Sequence, residues 1–385
     1  MKDLISRAAY GHFKSTGGLN TNDFKLELIE LFPIDKERIM KMKRNELENY
    51  FICNSKIDLI KKKLPDKLDN LSKLDNLSNS NLIILIGYPG SGKSTYANNL
   101  KANDNSYVII SRDIEGGKIS SLVSKIEIEL NKGNNVILDN TNLTKDIRKP
   151  FEIFHPQYVY IESNIVDCQI RVLHRMYQKY NKIFMTGVNP DKTIKDPNIF
   201  PPAVLFSARK NLELPDTYTK FNLELNLDLF NYPNKGLFLD IDGTLRKTDH
   251  LVNKYPVNID EIEPSFNLNN MKRILNDYID RGYIIIGISN QSGIAKKIVT
   301  EEIVIKCFNK TKEMLSLDFP IYYCPHQSVP IICYCRKPQS GNVVLSCETY
   351  KINPINSIFV GDRTTDKTTA ERLNIKYIHA DKFFN

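Results

Sequence analysis

Two carboxylates two residues apart mark the stretch LFLDIDGTLR at residues 237–246. An apolar run of strand type ends at Asp240, Asp242 follows it, and a glycine then turns the chain. A strand that delivers two acidic side chains to one turn is the arrangement that an enzyme needs to remove a phosphate group. The same chain carries a motif for the opposite reaction closer to its N-terminus.

That motif is GYPGSGKS at residues 87–94, which fits the pattern G-x-x-x-x-G-K-[ST]. It follows an apolar strand and opens a helix, which is the context that a P-loop requires. Lys93 would reach the β- and γ-phosphates of ATP, and Ser94 would bind Mg²⁺. The residues predicted to bind the nucleotide are Gly87, Gly90, Ser91, Gly92, Lys93, Ser94 and Thr95.

Two later segments offer a general base and a phosphate clamp. Asp113 follows the strand-like run VIIS, where a carboxylate can take a proton from an acceptor hydroxyl; a helix N-cap is an equally good interpretation. Arg171 and Arg175 lie one helical turn apart and therefore project from one face. An arginine there can close over a transferred phosphoryl group, although a solvated basic helix face is the alternative.

Three cysteines and a histidine fall within the twelve residues CPHQSVPIICYC. Cys324, His326, Cys333 and Cys335 make a C-x-H…C-x-C set, which fits a closed tetrahedral Zn²⁺ site; partly buried free thiols are the alternative. The cluster and the odd total of seven cysteines favour a reducing compartment over a disulfide framework. We therefore expect a cytoplasmic or nuclear protein.

The elements that must position these residues alternate between strand and helix patterns. Residues 81–215 and 236–385 each show apolar strand runs separated by helical periodicity, which is typical of α/β domains with parallel sheets. We predict two doubly wound parallel-sheet domains, with their chemistry at the carboxyl ends of the strands. Residues 216–235 would be a linker, residues 1–55 a small helical module, and residues 56–80 a polar linker.

Length and composition agree with several domains. A chain of 385 residues is too long for one ordinary core. The net charge of +8 suits a polyanionic partner without proving one. The longest apolar runs are far shorter than a membrane span, and the N-terminus lacks the apolar segment of a secretory signal. We therefore expect neither a membrane nor a secreted protein.

The N-terminal motifs resemble a known kinase domain. GYPGSGKST, SRD, DNTN and the R-x-x-x-R helix, in this order, are similar to the kinase domain of the polynucleotide kinase/phosphatases over roughly residues 82–215. The resemblance implies that Asp113 is the base that activates a 5′-hydroxyl. It also implies that Arg175 is the lid arginine and that Arg112 lies near the acceptor strand.

The C-terminal motifs resemble those of the haloacid-dehalogenase phosphatases. DIDGTL is similar to the first motif of that superfamily, which implies that Asp240 attacks phosphorus and that Asp242 moves the protons. The later motifs imply that Ser289 and Lys337 contact the phosphoryl oxygens. Mg²⁺ would be bound by Asp240, Asp242 and Asp362, with Asp366 as a further candidate.

The cysteine cluster narrows this second resemblance. The stretch from SNQSGI through CPH and C-x-C-R-K-P to VGD is similar to the histidinol- and heptose-bisphosphate phosphatase branch. Members of that branch carry a zinc loop just before the catalytic lysine, although their loop is usually longer.

Both resemblances together predict nucleic-acid end repair. A kinase and a phosphatase that act on one hydroxyl would cancel each other, whereas they cooperate on opposite ends of a broken strand. The chain has no K-x-D-G motif, so a separate ligase is the expected partner, and nothing decides between DNA and RNA. Two alternatives stay open: a small-molecule kinase joined to a sugar-phosphate phosphatase, and a binding module with degenerate sites.

Overall fold

The computed structural model describes residues 81–385 except 117, 194–195, 249–255 and 331–332. The described residues lie in one unit, Ser80–Asn385. The predicted helical module 1–55 and the predicted linker 56–80 are outside the described residues.

The first sheet has five parallel strands in the order β2–β3–β1–β4–β5. Its central strand consists of five buried aliphatic residues, as expected of a strand that is covered on both faces. The strands are β1 (Leu82–Ile86), β2 (Tyr107–Ile110), β3 (Asn135–Leu138), β4 (Gln157–Glu162) and β5 (Thr219–Asn222). The helices are α1 (Lys93–Asn103), α2 (Arg112–Glu115), α3 (Ile119–Asn131), α4 (Lys145–Arg148), α5 (Ile165–Tyr180) and α6 (Pro202–Lys210).

The second sheet also has five parallel strands, in the order β10–β9–β6–β11–β12. A two-stranded antiparallel ribbon, β7–β8, follows the first strand of this sheet. The strands are β6 (Lys235–Leu239), β7 (Arg246–Lys247), β8 (Glu263–Pro264), β9 (Tyr283–Asn290), β10 (Ile321–Cys324), β11 (Ile358–Gly361) and β12 (Lys376–His379). The helices are α7 (Leu268–Asp280), α8 (Ser292–Ala295), α9 (Glu301–Leu315), α10 (Gly341–Tyr350), α11 (Thr364–Arg372) and α12 (Ala380–Phe384).

Short 3₁₀ helices connect several of these elements. They span Lys149–Phe154, Asp228–Asn231, Ile259–Glu261 and Pro354–Asn356.

The predicted fold class is confirmed, because both sheets are parallel and flanked by helices. In each sheet the strand that carries the main motif is central: β1 leads into the P-loop and β6 leads into Asp240. The strand order reverses at these central strands, which opens a crevice at their carboxyl ends. Both predicted sites therefore lie where open parallel sheets bind ligands.

The prediction of a linker over residues 216–235 is wrong in part. Thr219–Asn222 is β5, which pairs in parallel with β4 and forms the edge of the first sheet. Leu229, in the same stretch, is fully buried. The strand is four residues long and three of them are polar, so its sequence lacks the apolar run that revealed the other strands.

Buried side chains from both domains share one hydrophobic core. The helix α5 of the first domain packs against α10 of the second. The buried residues of this shared core include Leu173, Phe184, Phe200 and Leu205 from the first domain and Tyr334, Val343, Val344 and Phe359 from the second. The two domains are therefore packed together and are not joined only by a tether.

A buried carboxylate lies at this junction. Glu348 on α10 is fully buried and accepts hydrogen bonds from Gln178 Nε2 at 3.1 Å and from the Tyr232 hydroxyl at 2.6 Å. Its second oxygen contacts His174 Nδ1. A buried charge needs such partners, so this cluster favours one placement of α5 on α10.

Candidate active sites

The loop after β1 has a backbone that glycine permits. Gly90 and Gly92 have φ of +77° and +101°, in the left-handed region. A Cβ on Gly90 would lie 2.7 Å from the carbonyl oxygen of Cys168, and one on Gly92 would lie 2.5 Å from Leu223 Cδ1. Such a turn directs backbone N–H groups inward and forms an anion-binding concavity at the start of α1.

Lys93, the first residue of α1, is buried within this loop. Its Nζ donates to the carbonyl oxygens of Gly87 at 3.1 Å and Tyr88 at 2.8 Å. Burial lowers the pKa of Lys93 to about 8, and the charge of Asp139 opposes that shift. Phosphate oxygens can replace the two carbonyl groups as acceptors.

The other predicted loop residues lie around this lysine. Ser91 is fully buried, and its N–H donates to the carbonyl oxygen of Tyr88 at 3.0 Å. Ser94 and Thr95 are exposed on the first turn of α1, where their hydroxyl groups are accessible to a bound nucleotide and its metal ion.

Asp113 lies in the first turn of α2 and is exposed. It is not the N-cap, because Ser111 caps this helix by accepting the N–H of Asp113 at 3.3 Å. The Arg112 N–H donates to Asn140 Oδ1 at 2.9 Å, which ties the end of β2 to the end of β3. The N-cap interpretation of Asp113 is therefore wrong, and its carboxylate lies at the carboxyl edge of the sheet.

The two arginines of α5 differ in their surroundings. Arg171 donates to Ser163 Oγ at 2.8 Å and to the carbonyl oxygen of Leu223 at 2.9 Å, and it approaches the Gly90 carbonyl oxygen at 3.5 Å. It thus braces the P-loop against β5. Arg175 is exposed and interacts electrostatically with Asp113.

Two other predicted kinase residues act on Lys93 electrostatically. Arg175 and Asp113 contribute to the pKa of Lys93 after burial, Asp139 and Cys168. Sequence reasoning did not identify the support behind the loop. Asn142, with φ of +46°, donates from Nδ2 to the Leu85 carbonyl oxygen at 2.8 Å, and the buried Arg148 donates to the Asn142 carbonyl oxygen at 2.7 Å.

The centre of the second site is an ion pair between Asp240 and Lys337. Lys337 is buried, and its Nζ contacts the Asp240 carboxylate and lies 2.7 Å from Asp366 Oδ1. The same Nζ donates to the Ile288 carbonyl oxygen at 2.8 Å. These contacts hold a cation beside the carboxylate that would attack phosphorus.

Burial also changes the proton affinity of this pair. Desolvation raises the pKa of Asp240 to about 7, and Asp366 adds to the rise while Lys337 opposes it. Desolvation favours the neutral form of Lys337, but Asp240 and Asp366 outweigh it and raise the pKa of that lysine. Lys337 therefore stays charged in the buried site.

Asp242 is oriented by a separate set of donors. Arg246 Nε lies 2.8 Å from its Oδ1, and Gln291 Nε2 donates to its Oδ2 at 2.6 Å. Ser289 Oγ is 3.4 Å from the same Oδ2, so Ser289, near the end of β9, lies beside Asp242. Gln291 was not among the predicted site residues, although it follows Ser289 closely in the motif SNQSG.

Three carboxylates converge on one point of this site. Oxygens of Asp240, Asp362 and Asp366 lie within 4.8 Å of one another. Oδ1 of Asp362 is buried and has no hydrogen-bond partner among the described residues. A Cβ on Gly243 would lie 2.3 Å from Asp362 Oδ2, so only glycine fits beside this group. Such a set of oxygens suits a hard divalent cation.

This arrangement differs from the predicted set of metal ligands in one side chain. The oxygens of Asp242 face Arg246 and Gln291, and its side chain is not part of the converging group. Asp366, on the first turn of α11, takes that place. Asp242 remains close enough to the strand ends to act on protons.

The four predicted zinc donors also converge. Cys324 Sγ lies 3.7 Å from Cys333 Sγ and 3.5 Å from His326 Nδ1, which lies 3.2 Å from Cys335 Sγ. A tetrahedral zinc ion requires about 3.8 Å between two sulfurs and about 3.5 Å between sulfur and nitrogen, given its bond lengths. The cluster fits that ion, and it could hold zinc with no position left open for water.

The cysteines of the described residues are all free, and no helix of the described part of the chain is long and apolar enough to cross a membrane.

A cavity of about 890 Å³ opens above the second site. It is lined by Asp240, Asp242, Gln291 and Lys337 from the phosphatase motifs and by Phe206 from α6 of the first domain.

The fold and the two sites define a chain that joins a P-loop kinase-type domain to a haloacid-dehalogenase-type phosphatase domain. Residues 82–171 match a family model described as an AAA domain, and residues 235–385 match the model described as polynucleotide kinase 3 phosphatase. The second domain is therefore similar to the polynucleotide kinase 3 phosphatase family.

Similar curated proteins include heptose-bisphosphate phosphatases. The D-glycero-beta-D-manno-heptose-1,7-bisphosphate 7-phosphatase of Haemophilus influenzae is 33% identical over 143 residues, which are 34% of this chain and 73% of that protein. The D-glycero-alpha-D-manno-heptose-1,7-bisphosphate 7-phosphatase of Campylobacter jejuni is 32% identical over 136 residues, with the same coverage of 34% and 73%.

The comparison with solved structures matches, among others, a D,D-heptose 1,7-bisphosphate phosphatase from B. bronchiseptica complexed with magnesium and phosphate. It is 22% identical, covers 37% of this chain and 78% of its own, and has a TM-score of 0.33. A chain of the Pnkp1/Rnl/Hen1 RNA repair complex is 16% identical, covers 77% of this chain and 94% of its own, and has a TM-score of 0.25.

Proposed function

We propose that this protein repairs nucleic-acid ends: it phosphorylates 5′-hydroxyl ends with ATP and removes 3′-phosphates. The observation that carries the proposal is the pairing, in one packed unit, of a P-loop next to Asp113 and Arg175 with a buried Asp240–Lys337 centre. The products, a 5′-phosphate and a 3′-hydroxyl, are the ends that a ligase joins. A ligase is therefore the partner we expect.

In the kinase reaction Asp113 accepts the proton of the 5′-hydroxyl, whose oxygen then attacks the γ-phosphorus of ATP. Lys93 leaves the loop carbonyl groups and pairs with the β- and γ-phosphates. Arg175 neutralises charge on the transferred group. Bound at Ser94 and the phosphates, Mg²⁺ would supply further charge neutralisation.

In the phosphatase reaction an oxygen of Asp240 attacks phosphorus and the bond to the 3′-oxygen breaks. Asp242 gives its proton to that leaving oxygen. It then takes a proton from the water that hydrolyses the aspartyl-phosphate, which frees inorganic phosphate and restores Asp240. Lys337 and Ser289 stabilise the phosphoryl oxygens.

Two candidate metal sites would support this chemistry. Asp240, Asp362 and Asp366 would hold Mg²⁺, which would reduce the repulsion between the attacking carboxylate and the phosphate. The Cys₃His cluster would hold zinc in a structural role, because it ends directly before Arg336 and Lys337 and leaves no position for water.

A second candidate is a phosphatase for a small sugar bisphosphate joined to a small-molecule kinase. The relatives named as heptose-bisphosphate phosphatases favour it, since they are at least 32% identical to part of this chain.

The deciding experiment offers one protein both ends of a broken strand. The protein is incubated with ATP, Mg²⁺ and oligonucleotides that carry 5′-hydroxyl and 3′-phosphate ends. The oligonucleotides are DNA or RNA, each as a single strand and as a nicked duplex. A parallel reaction contains a heptose 1,7-bisphosphate. We expect both ends to be converted. Lys93→Ala should abolish only phosphorylation, and Asp240→Asn should abolish only dephosphorylation.

Two results would contradict the proposal. Turnover of the sugar bisphosphate without turnover of any oligonucleotide would establish the second candidate. Loss of dephosphorylation in folded Lys93→Ala protein would show that the two sites are not independent.

A further inference from the structure

We propose that Phe206, which belongs to the kinase domain, forms a nucleobase subsite of the phosphatase site. The ring would stack on the base of the nucleotide that carries the 3′-phosphate. This inference rests on the proposed function, because it names how the phosphatase site recognises a nucleotide.

The position of Phe206 supports this role. The ring is only partly buried, and it lines the cavity that contains Asp240, Asp242 and Lys337. On the same helix, α6, Leu205 is fully buried in the core that the two domains share. The helix is therefore anchored by its neighbouring residue, while the ring of Phe206 faces the cavity.

Contacts from the phosphatase domain attach the backbone before α6 to the loop that carries Lys337. The Tyr334 hydroxyl donates to the carbonyl oxygen of Phe200 at 2.7 Å, just before α6 begins. The Tyr334 N–H donates to the Met185 carbonyl oxygen at 2.7 Å. Tyr334 lies in the same loop as Lys337, so α6 is attached to the segment that carries the catalytic lysine.

The charges of the cavity suit a polynucleotide. Its lining holds three carboxylates, which belong to the reacting centre, and five cationic side chains. The cations other than Lys337 are Lys296, Arg336, Arg363 and Arg372. They can neutralise phosphodiester groups beside the terminal phosphate. Outside this lining, the Arg209 guanidinium lies over the Phe206 ring, 5.9 Å from its centroid.

An aromatic ring beside several cations distinguishes between the two substrate classes. A nucleobase has a flat π-face that stacks on phenylalanine, and such stacking tolerates every base. A sugar bisphosphate has no such face. The subsite would therefore favour nucleic-acid ends at a site whose reacting groups resemble those of sugar-phosphate phosphatases.

The test compares two oligonucleotides that share a 3′-terminal phosphate. One carries a normal terminal base, and the other carries a tetrahydrofuran abasic residue at that position. We expect wild-type kcat/KM to be on the order of tenfold higher with the base, because stacking strengthens binding by that order. Phe206→Ala should remove this preference by raising KM for the base-bearing strand, and leave the abasic strand unchanged.

Two further variants keep the test conclusive. Phe206→Leu retains apolar bulk without a ring and should behave as Phe206→Ala does, whereas Phe206→Tyr should keep the preference. Val204→Ala alters a partly exposed residue of the same helix that does not line the cavity, and it should behave as wild type. Retained 5′-phosphorylation reports that each variant is folded.

Equal losses on both strands, or a Phe206→Leu variant with the full preference, would overturn the subsite and show that the ring only packs. Failure of the proposed function looks different: the wild-type protein would then hydrolyse neither strand while it hydrolyses a sugar bisphosphate.

Discussion

Removal of one zinc donor should reduce the phosphatase activity far more than the kinase activity. We consider Cys333→Ser, because Cys333 is buried and its Sγ lies 3.7 Å from Cys324 Sγ. Cys335, two residues further on, belongs to the same cluster and directly precedes Arg336 and Lys337. The cluster thus holds the backbone from which Lys337 extends.

The size of the effect follows from the contacts of Lys337. Its Nζ is held 2.7 Å from Asp366 Oδ1 and 2.8 Å from the Ile288 carbonyl oxygen. A shift of about 1 Å in a positioned group costs about 100-fold in rate, and loss of one preorganised donor costs about 100- to 1000-fold. We therefore expect kcat for 3′-phosphate removal to fall by about 100- to 1000-fold, which corresponds to about 3–4 kcal/mol.

The assay measures metal and both activities in one preparation. Elemental analysis should find about one zinc per wild-type chain and much less in Cys333→Ser, while ATP-dependent 5′-phosphorylation continues. Cys307→Ala, which alters a buried cysteine outside the cluster, is the matched control and should change neither zinc content nor the phosphatase rate by more than about threefold. Metal-free wild-type protein with full phosphatase activity would refute the reasoning.

Two further predictions concern the domain junction and the substrate. Glu348→Ala should lower the free energy of unfolding by about 3–5 kcal/mol, because it leaves His174, Gln178 and Tyr232 without their buried acceptor. Urea denaturation measures this free energy. A change below about 1 kcal/mol would show that the cluster contributes little to stability. The affinity for a 3′-phosphorylated oligonucleotide should fall steeply between low and moderate salt, since lysine and arginine contacts release counterions. An affinity that does not change with salt would favour the small-molecule candidate.

Much of the fold could be predicted from the sequence because its signals are local. The apolar runs that become β1–β4, β6 and β9–β11 are continuous in the chain, and burial on both faces of a parallel sheet produces such runs. β5 was missed because an edge strand of four residues, three of them polar, needs no such run. Only its pairing with β4 makes it a strand.

The candidate sites divide in the same way. The order of residues alone places Lys93 at the start of α1, and Asp240 and Asp242 after β6, since a few backbone angles at glycines determine each turn. The zinc donors also follow from spacing, because they lie within twelve residues of each other. Residues that are this close in sequence stay close together in the folded protein, so their spacing alone predicts the site.

Side-chain directions were decided by the tertiary structure. Asp242 and Asp366 are both acidic residues at strand ends, and the sequence alone does not tell which one joins Asp240 and Asp362. Arg246 and Gln291 turn the Asp242 carboxylate away from that group, and Gln291 comes from a different strand end. Hydrogen bonds between segments distant in sequence set these directions, and no local pattern encodes them.

The contacts between the domains have the same origin. Phe206 lies in a kinase-domain helix, and its sequence neighbourhood contains nothing that relates it to a phosphatase cavity. It reaches that cavity because α5 packs on α10 and because Tyr334 binds the backbone before α6. The sequence by itself determined which reactive side chains the protein has, because they lie in motifs of a few adjacent residues. The packing of two cores determined which groups share a site, because burial depends on surfaces that come together only in the folded chain.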